Sequence, residues 1–111
     1  LNHEQIEIWG DGSVVRDYIY IEDVCEMIGS LINYNGKEEV FNLSSNQGIS
    51  LDDVIEKMKK FGLKPDVVYK EARSVDVPKV ILDNHKIAHI HEFKIRSFDE
   101  GLKLYIDYLR K

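Results

Sequence analysis

The stretch Gly10-Asp11-Gly12-Ser13-Val14-Val15-Arg16-Asp17-Tyr18-Ile19-Tyr20-Ile21-Glu22-Asp23-Val24 decides how this chain is read. It is a tight turn, a strand carrying one arginine between apolar residues, and the start of a helix. An arginine in that setting reads as aimed at a ligand rather than left loose in solvent. Upstream, Ile6, Ile8 and Trp9 make a short apolar strand that ends at the Gly10–Ser13 turn. Tyr18-Ile19-Tyr20-Ile21 is rich in β-forming residues and reads as a second short strand. From near Glu22 to about Asn33, Val24, Met27, Ile28, Leu31 and Ile32 fall at i, i+3, i+4, i+7 and i+8, one face of a helix that Asn35-Gly36 stops.

Downstream, Val40-Phe41-Asn42-Leu43 is a short β-like run followed by the loop Ser44–Gly48. Ser50-Leu51-Asp52-Asp53 opens a helix with a capping-box pattern built on a shorter acid. Its buried stripe is Leu51, Val54, Ile55 and Met58, and Gly62 caps its end before Pro65. Asp66 to Tyr69 reads as a strand, and a short helix after Asp83 uses Ile87, Ala88 and Ile90. Ser97-Phe98-Asp99-Glu100 is a full capping box that starts the last helix, which runs through Leu102, Tyr105, Ile106 and Leu109 to Arg110-Lys111. Short strands alternating with about four helices, with few hairpin signals, predict an α/β chain in an α+β arrangement.

With 111 residues the chain is expected to be a single domain, 1–111, able to bury about two-thirds of its unfolded surface. An apolar fraction of 43% and a charged fraction of 32% describe a soluble globular protein. A net charge of −5 argues against broad attraction to nucleic acid or anionic membrane, so any phosphate binding must be local. The lone Cys25 permits no internal disulfide and fits a reducing compartment. With no long apolar run and no signal-peptide pattern, a cytoplasmic setting is expected. The opening Leu1–Gln5 has no start-of-domain character, and the expectation is a piece of a longer protein.

Two readings of Arg16 stand side by side. One is an edge-strand arginine paired with a nearby carboxylate. The other is a guanidinium fork held bidentate on a phosphate, a geometry that lysine does not reproduce. The second arginine-acid pair, Arg73-Ser74-Val75-Asp76, reads either as an i, i+3 surface ion pair or as part of the same site. In the latter, Arg73 takes a phosphate oxygen and Asp76 accepts hydrogen bonds from ribose hydroxyls. Tyr18 and Tyr20 share a strand face, where packing is favoured, with Tyr18 close enough to Arg16 to share its pocket. His85 and His89 lie one helical turn apart with His91 nearby, but no HExxH pattern accompanies them and no metal is expected. Cys25 is expected to pack, with no redox or nucleophilic role.

Taken in order, these residues resemble a known family. The run from Gly10 to Val24, then Phe41-Asn42-Leu43, Ser50-Leu51, Arg73-x-x-Asp76-Val77-Pro78, Asp83-x-x-Lys86 and Ser97-Phe98-Asp99-Glu100-Gly101-Leu102 is similar to the C-terminal region of nucleotide-sugar epimerases and dehydratases. These are extended short-chain dehydrogenases, and the UDP-glucose 4-epimerase group is nearest in flavour. The likeness covers nearly the whole chain. Three positions depart from the pattern: His85 replaces a serine, His91-Glu92-Phe93 replaces a glycine-aromatic pair, and Val80 stands where some 4-epimerases carry tyrosine.

The resemblance implies a substrate-binding lobe in which Arg16 and Arg73 contact the diphosphate of a nucleotide sugar, with a UDP-sugar as the expected ligand. Asp76 sits by the ribose, and Tyr18 contributes a nucleotide contact. It implies NAD as cofactor, held by an N-terminal Rossmann domain outside these residues, and a homodimer for the complete enzyme. Such enzymes act through a Tyr-x-x-x-Lys pair that this sequence does not contain, so no catalytic residue is assigned and the chain alone is expected to be inactive. Two other classes stay open: a stand-alone nucleotide-sugar or phosphate-binding module, and a non-catalytic interaction domain.

Overall fold

A computed structural model describes residues 4–111. Its elements, in chain order, are β1 (Ile6–Trp9), β2 (Val15–Asp17), α1 (Ile21–Leu31), β3 (Gly48–Ser50), α2 (Leu51–Lys60), β4 (Val67–Lys70), α3 (His85–Ala88) and α4 (Phe98–Leu109). β1 pairs parallel with β4, Ile6 opposite Val67 and Trp9 opposite Lys70. β2 pairs antiparallel with β3, Val15 opposite Ser50 and Asp17 opposite Gly48. On its other side Val15 receives a third segment: its N–H donates to the Pro78 carbonyl at 2.9 Å, and its carbonyl accepts from Val80 N–H at 3.0 Å. The mixed α/β architecture is the one expected.

The helices follow their local chemistry. Ser50 Oγ accepts from the Asp53 N–H at 3.1 Å, and α2 closes on Gly62 at φ 79, a left-handed position that glycine takes without strain. α4 carries the reciprocal capping box: Ser97 Oγ accepts from Glu100 N–H, and Glu100 Oε2 accepts from Ser97 N–H at 2.8 Å. α1 has no side-chain cap, and begins after Tyr20 in extended backbone with Glu22 and Asp23 in its first turn.

Three expectations are corrected. The strand expected over Tyr18–Ile21 lies upstream at Val15–Asp17. The pairing backbone of β3 and residues 78–80 reaches only that far, and the aromatic residues after it pack by their side chains. The Tyr18 ring meets Phe98 edge-on at 5.5 Å between centroids, while Gly101 of α4 sits so close to Tyr20 that an added Cβ would lie 3.2 Å from Tyr20 Cβ. Val40–Leu43 is not a strand. Among the described residues no backbone pairs with it, and its ties are side-chain donors, Lys86 Nζ to the Val40 carbonyl and Asn42 Nδ2 to the Asp83 carbonyl. Cys25 is exposed rather than packed, because it falls on the side of α1 away from the buried Asp23 and Met27.

The buried apolar core is small: Ile8, Met27, Ile55, Ile87 and Ile106. The accessible surface is 8194 Å², against about 6300 Å² for a compact monomer of this mass. The radius of gyration is 16.5 Å, where a compact domain of this length has about 13 Å. Part of the excess lies on α1, where Ile21, Ile28 and Ile32 are exposed on the same face as Cys25. Among the described residues no helix is long and apolar enough to cross a membrane.

Candidate functional site

Arg16 lies at the centre of β2, and its side chain turns toward the segment after Asp76. Its Nη1 donates to the carbonyls of Val15 and Val77, each at 2.8 Å. Among the described residues no carboxylate pairs with it, so the edge-strand ion pair is not what the structure contains. Instead the guanidinium braces β2 against Val77-Pro78. The sequence-distant stretches around Arg16 and Arg73 are thereby brought side by side.

Arg73 and Asp76 line a cleft of about 450 Å³ together with Trp9, the Gly10-Asp11 turn, Lys70 and Pro78. Arg73 chelates Asp76, Nε to Oδ2 at 3.0 Å and Nη2 to Oδ1 at 2.9 Å. The same guanidinium lies 5.5 Å from the centre of the Trp9 ring, a cation–π contact. At the turn, Asp11 Oδ1 accepts from Ser13 Oγ at 2.5 Å and from Ser13 N–H at 2.9 Å, and these bonds hold the Asp11 carboxyl below its usual range. The cleft therefore presents a guanidinium, an aromatic face and two carboxylates. That is binding chemistry: an anion contact backed by the Trp9 ring, and acceptors for hydroxyls.

Tyr18 goes elsewhere. It lines a second cleft of about 350 Å³ with Tyr20, Arg96, Phe98 and Tyr105. Of the four site residues taken from the sequence, the structure places Arg73 and Asp76 in one cleft, Arg16 bracing its wall, and Tyr18 in the other. His85 and His89 make local contacts, His85 Nδ1 with Asp83 Oδ1 at 2.5 Å and His89 Nδ1 with the His85 carbonyl at 2.7 Å. Among the described residues no metal-ligating cluster forms.

Sequence reasoning missed three groups that hold this region. Trp9 carries only a strand signal in the sequence. Asp17 gathers four donors: Ser45 N–H and Oγ on Oδ1, Asn46 and Leu82 N–H on Oδ2. Asp23, only 2% exposed, is paired with Arg96. No spacing rule would have found Arg96 and Asp23, because 73 positions separate them.

Residues 1–44 match the NAD dependent epimerase/dehydratase family. A UDP-glucose 4-epimerase from Thermotoga maritima, solved with UDP-glucose, superposes with a TM-score of 0.84 at 35% identity over 97% of this chain. The chain matches a C-terminal region of the NAD-dependent epimerase/dehydratase family. A second solved structure, MoeE5 in complex with UDP-glucuronic acid and NAD, has a TM-score of 0.87 at 27% identity over 99% of the chain. Among curated proteins, a trifunctional UDP-glucose 4,6-dehydratase/UDP-4-keto-6-deoxy-D-glucose 3,5-epimerase/UDP-4-keto-L-rhamnose-reductase of Arabidopsis thaliana is 30% identical over 93% of the chain. The chain spans 16% of that plant protein's length, 35% of the Thermotoga structure and 38% of MoeE5.

The epimerase/dehydratase likeness implies NAD, and the described residues do not fit it. A dinucleotide pyrophosphate needs a strand, a glycine-rich turn and then a helix N-terminus. Here the Gly10-Asp11-Gly12 turn leads from β1 into β2, another strand.

Proposed function

We propose that this chain is the substrate-binding portion, residues 1–111, of a longer NAD-dependent epimerase/dehydratase. The ligand is a UDP-sugar, and the reaction of the complete enzyme is 4-epimerisation through transient hydride transfer to NAD. The observation that carries the reading is the convergence at Arg16. Its bonds to Val15 and Val77 join the two arginine-acid stretches into one wall, beside a cleft that holds Arg73, Asp76 and Trp9. In this reading Arg16 and Arg73 take the diphosphate, Asp76 the ribose, and Tyr18 the nucleotide from the adjoining cleft.

The excess surface supports a portion rather than a self-sufficient domain. The bare α1 face and the unpaired Val40–Leu43 run form a helix and an extended segment that the rest of the enzyme covers. The chain alone is inactive, because Tyr-x-x-x-Lys is absent from its sequence. The complete enzyme is a cytoplasmic homodimer that engages neither nucleic acid nor membrane, in keeping with the net charge of −5.

Calorimetry of UDP with the complete protein tests the site. Arg16→Ala and Arg73→Ala are each expected to weaken binding on the order of tenfold or more, the size of one lost charge-assisted bond. Unchanged affinity in both variants would sink the assignment, and leave Arg73–Asp76 as a surface ion pair.

A further inference from the structure

We propose that Arg96 is a positioning residue for the ligand site: through Asp23 and Tyr20 it fixes the segment that carries Arg16 and Tyr18. The inference rests on the proposed site but assigns a role to residues outside its ligand contacts.

The geometry concerns the connector Tyr18-Ile19-Tyr20 between β2 and α1. It has no strand partner, so its position depends on the packing of Tyr18 on Phe98 and of Tyr20 on Gly101, and on how its two ends are fastened. At the upstream end, Asp17 fastens β2 to the 45–46 loop and to Leu82 through its four donors. At the downstream end the fastening is Arg96. Its backbone N–H donates to Asp23 Oδ2 at 3.0 Å, and its Nη1 pairs with Asp23 Oδ1. Its Nη2 donates to Glu22 Oε2 at 3.0 Å, and its guanidinium lies 5.2 Å from the centre of the Tyr20 ring.

All four contacts fall on residues 20–23, directly after the ligand-facing segment. The Asp23 side chain is 3% exposed while that of Arg96 is 35% exposed, so one end of the pair is anchored in the interior. The other end sits in the wall of the Tyr18 cleft. A buried carboxylate with a forked partner has one favourable arrangement, and that arrangement sets where the connector leaves the helix. β2 is only three residues long. A connector free at its downstream end would let Tyr18 shift and would pull on the end of β2, and a shift of about 1 Å is enough to spoil a ligand contact.

The test uses the complete protein and UDP as the probe, by calorimetry well below the melting temperature. Arg96→Ala is expected to weaken UDP about tenfold, and Arg96→Lys, which keeps the charge but not the fork, to recover only part of it. Because Arg96→Ala strands a buried carboxylate, the double variant Asp23→Asn/Arg96→Ala is measured as well. It removes the charge and the fastening together, and is expected to bind as weakly as Arg96→Ala. Lys57→Ala is the matched control: it removes a pairing of Asp99 in the first turn of α4, the helix that begins just after Arg96, lowering the melting temperature while leaving UDP affinity unchanged.

Affinity within about twofold of the parent in both Arg96→Ala and the double variant, with Arg16→Ala still weakened, overturns the positioning role and leaves the site intact. Equal weakening by Lys57→Ala also overturns it, since general loosening of α4 would then account for the effect. If Arg16→Ala itself binds normally, the site reading fails and this inference with it.

Discussion

Arg16 and Val77 are joined across 61 positions of sequence by a 2.8 Å hydrogen bond from the guanidinium Nη1 to the main-chain carbonyl. The same Nη1 also donates to Val15, so one nitrogen ties a short strand to the segment that follows Asp76. Arg16 is thus both the proposed diphosphate contact and a brace. The two roles use different atoms: Nη1 donates to the two carbonyls, and in the proposed site Nε and Nη2 serve the ligand.

Arg16→Lys tests both roles at constant charge. Lysine keeps the positive charge but cannot span two carbonyls while presenting a planar fork. The expected result is a loss of about 1 kcal/mol in unfolding free energy together with weaker UDP binding. A denaturation midpoint equal to the parent's would show that the brace contributes nothing.

Asp76→Asn distinguishes a ribose acceptor from a plain ion-pair partner. In the structure Asp76 occupies Arg73 in bidentate fashion, so its neutralisation frees that guanidinium. Inorganic pyrophosphate should then bind as well as or better than before, while UDP binds more weakly through the lost ribose contact. UDP and pyrophosphate moving in the same direction would remove Asp76 from the ribose.

Acid stability is expected to depend on the start of α4. Ser97 N–H and then Ser97 Oγ hold the Glu100 carboxyl below its usual range, and Lys57 and then Lys60 do the same for Asp99. The folded carboxyls bind protons less tightly than the unfolded ones. Their contribution is therefore complete above the ordinary carboxylate range, and is lost as pH falls through the depressed folded values. Glu100→Gln should flatten this acid limb in melting temperature against pH, and an unaltered limb would contradict the assignment.

The exposed face of α1 gives a reading of the missing contacts. In the complete protein Cys25, flanked by Ile21 and Ile28 on that face, should be covered. Its native alkylation, followed on the Cys25 peptide by mass spectrometry, should be at least about tenfold slower than in denaturant. Equal rates would show that nothing docks there. Ile28→Asp should lower the melting temperature of the complete protein by about 5 °C if the face is buried, and leave it unmoved if the face is bare.

Much of this chain was legible one segment at a time. Ser50 and Ser97 announced their helices because a cap is made within three residues of where it is read. Gly62 ended α2 for an equally local reason, a left-handed backbone. Arg73 and Asp76 lie close enough along the chain to be recognised as partners before folding. Their order among the other motifs was enough to point to the family.

What stayed hidden depended on partners far along the chain. Tyr18–Ile21 has the composition of a strand, yet β3 and residues 78–80 supply backbone only to Val15–Asp17, and a ladder forms where its partner is. Val40–Leu43 has the same composition and no described partner at all. Arg96 finds Asp23 only once α4 has been laid beside α1, and Tyr18 is drawn from Arg16 toward Phe98 by that same packing. Residue type and spacing settle interactions that close within a turn or two of backbone. Charge pairs, stacked rings and strand ladders between distant segments are settled by how the chain folds back on itself, because no local pattern encodes which surface each will meet.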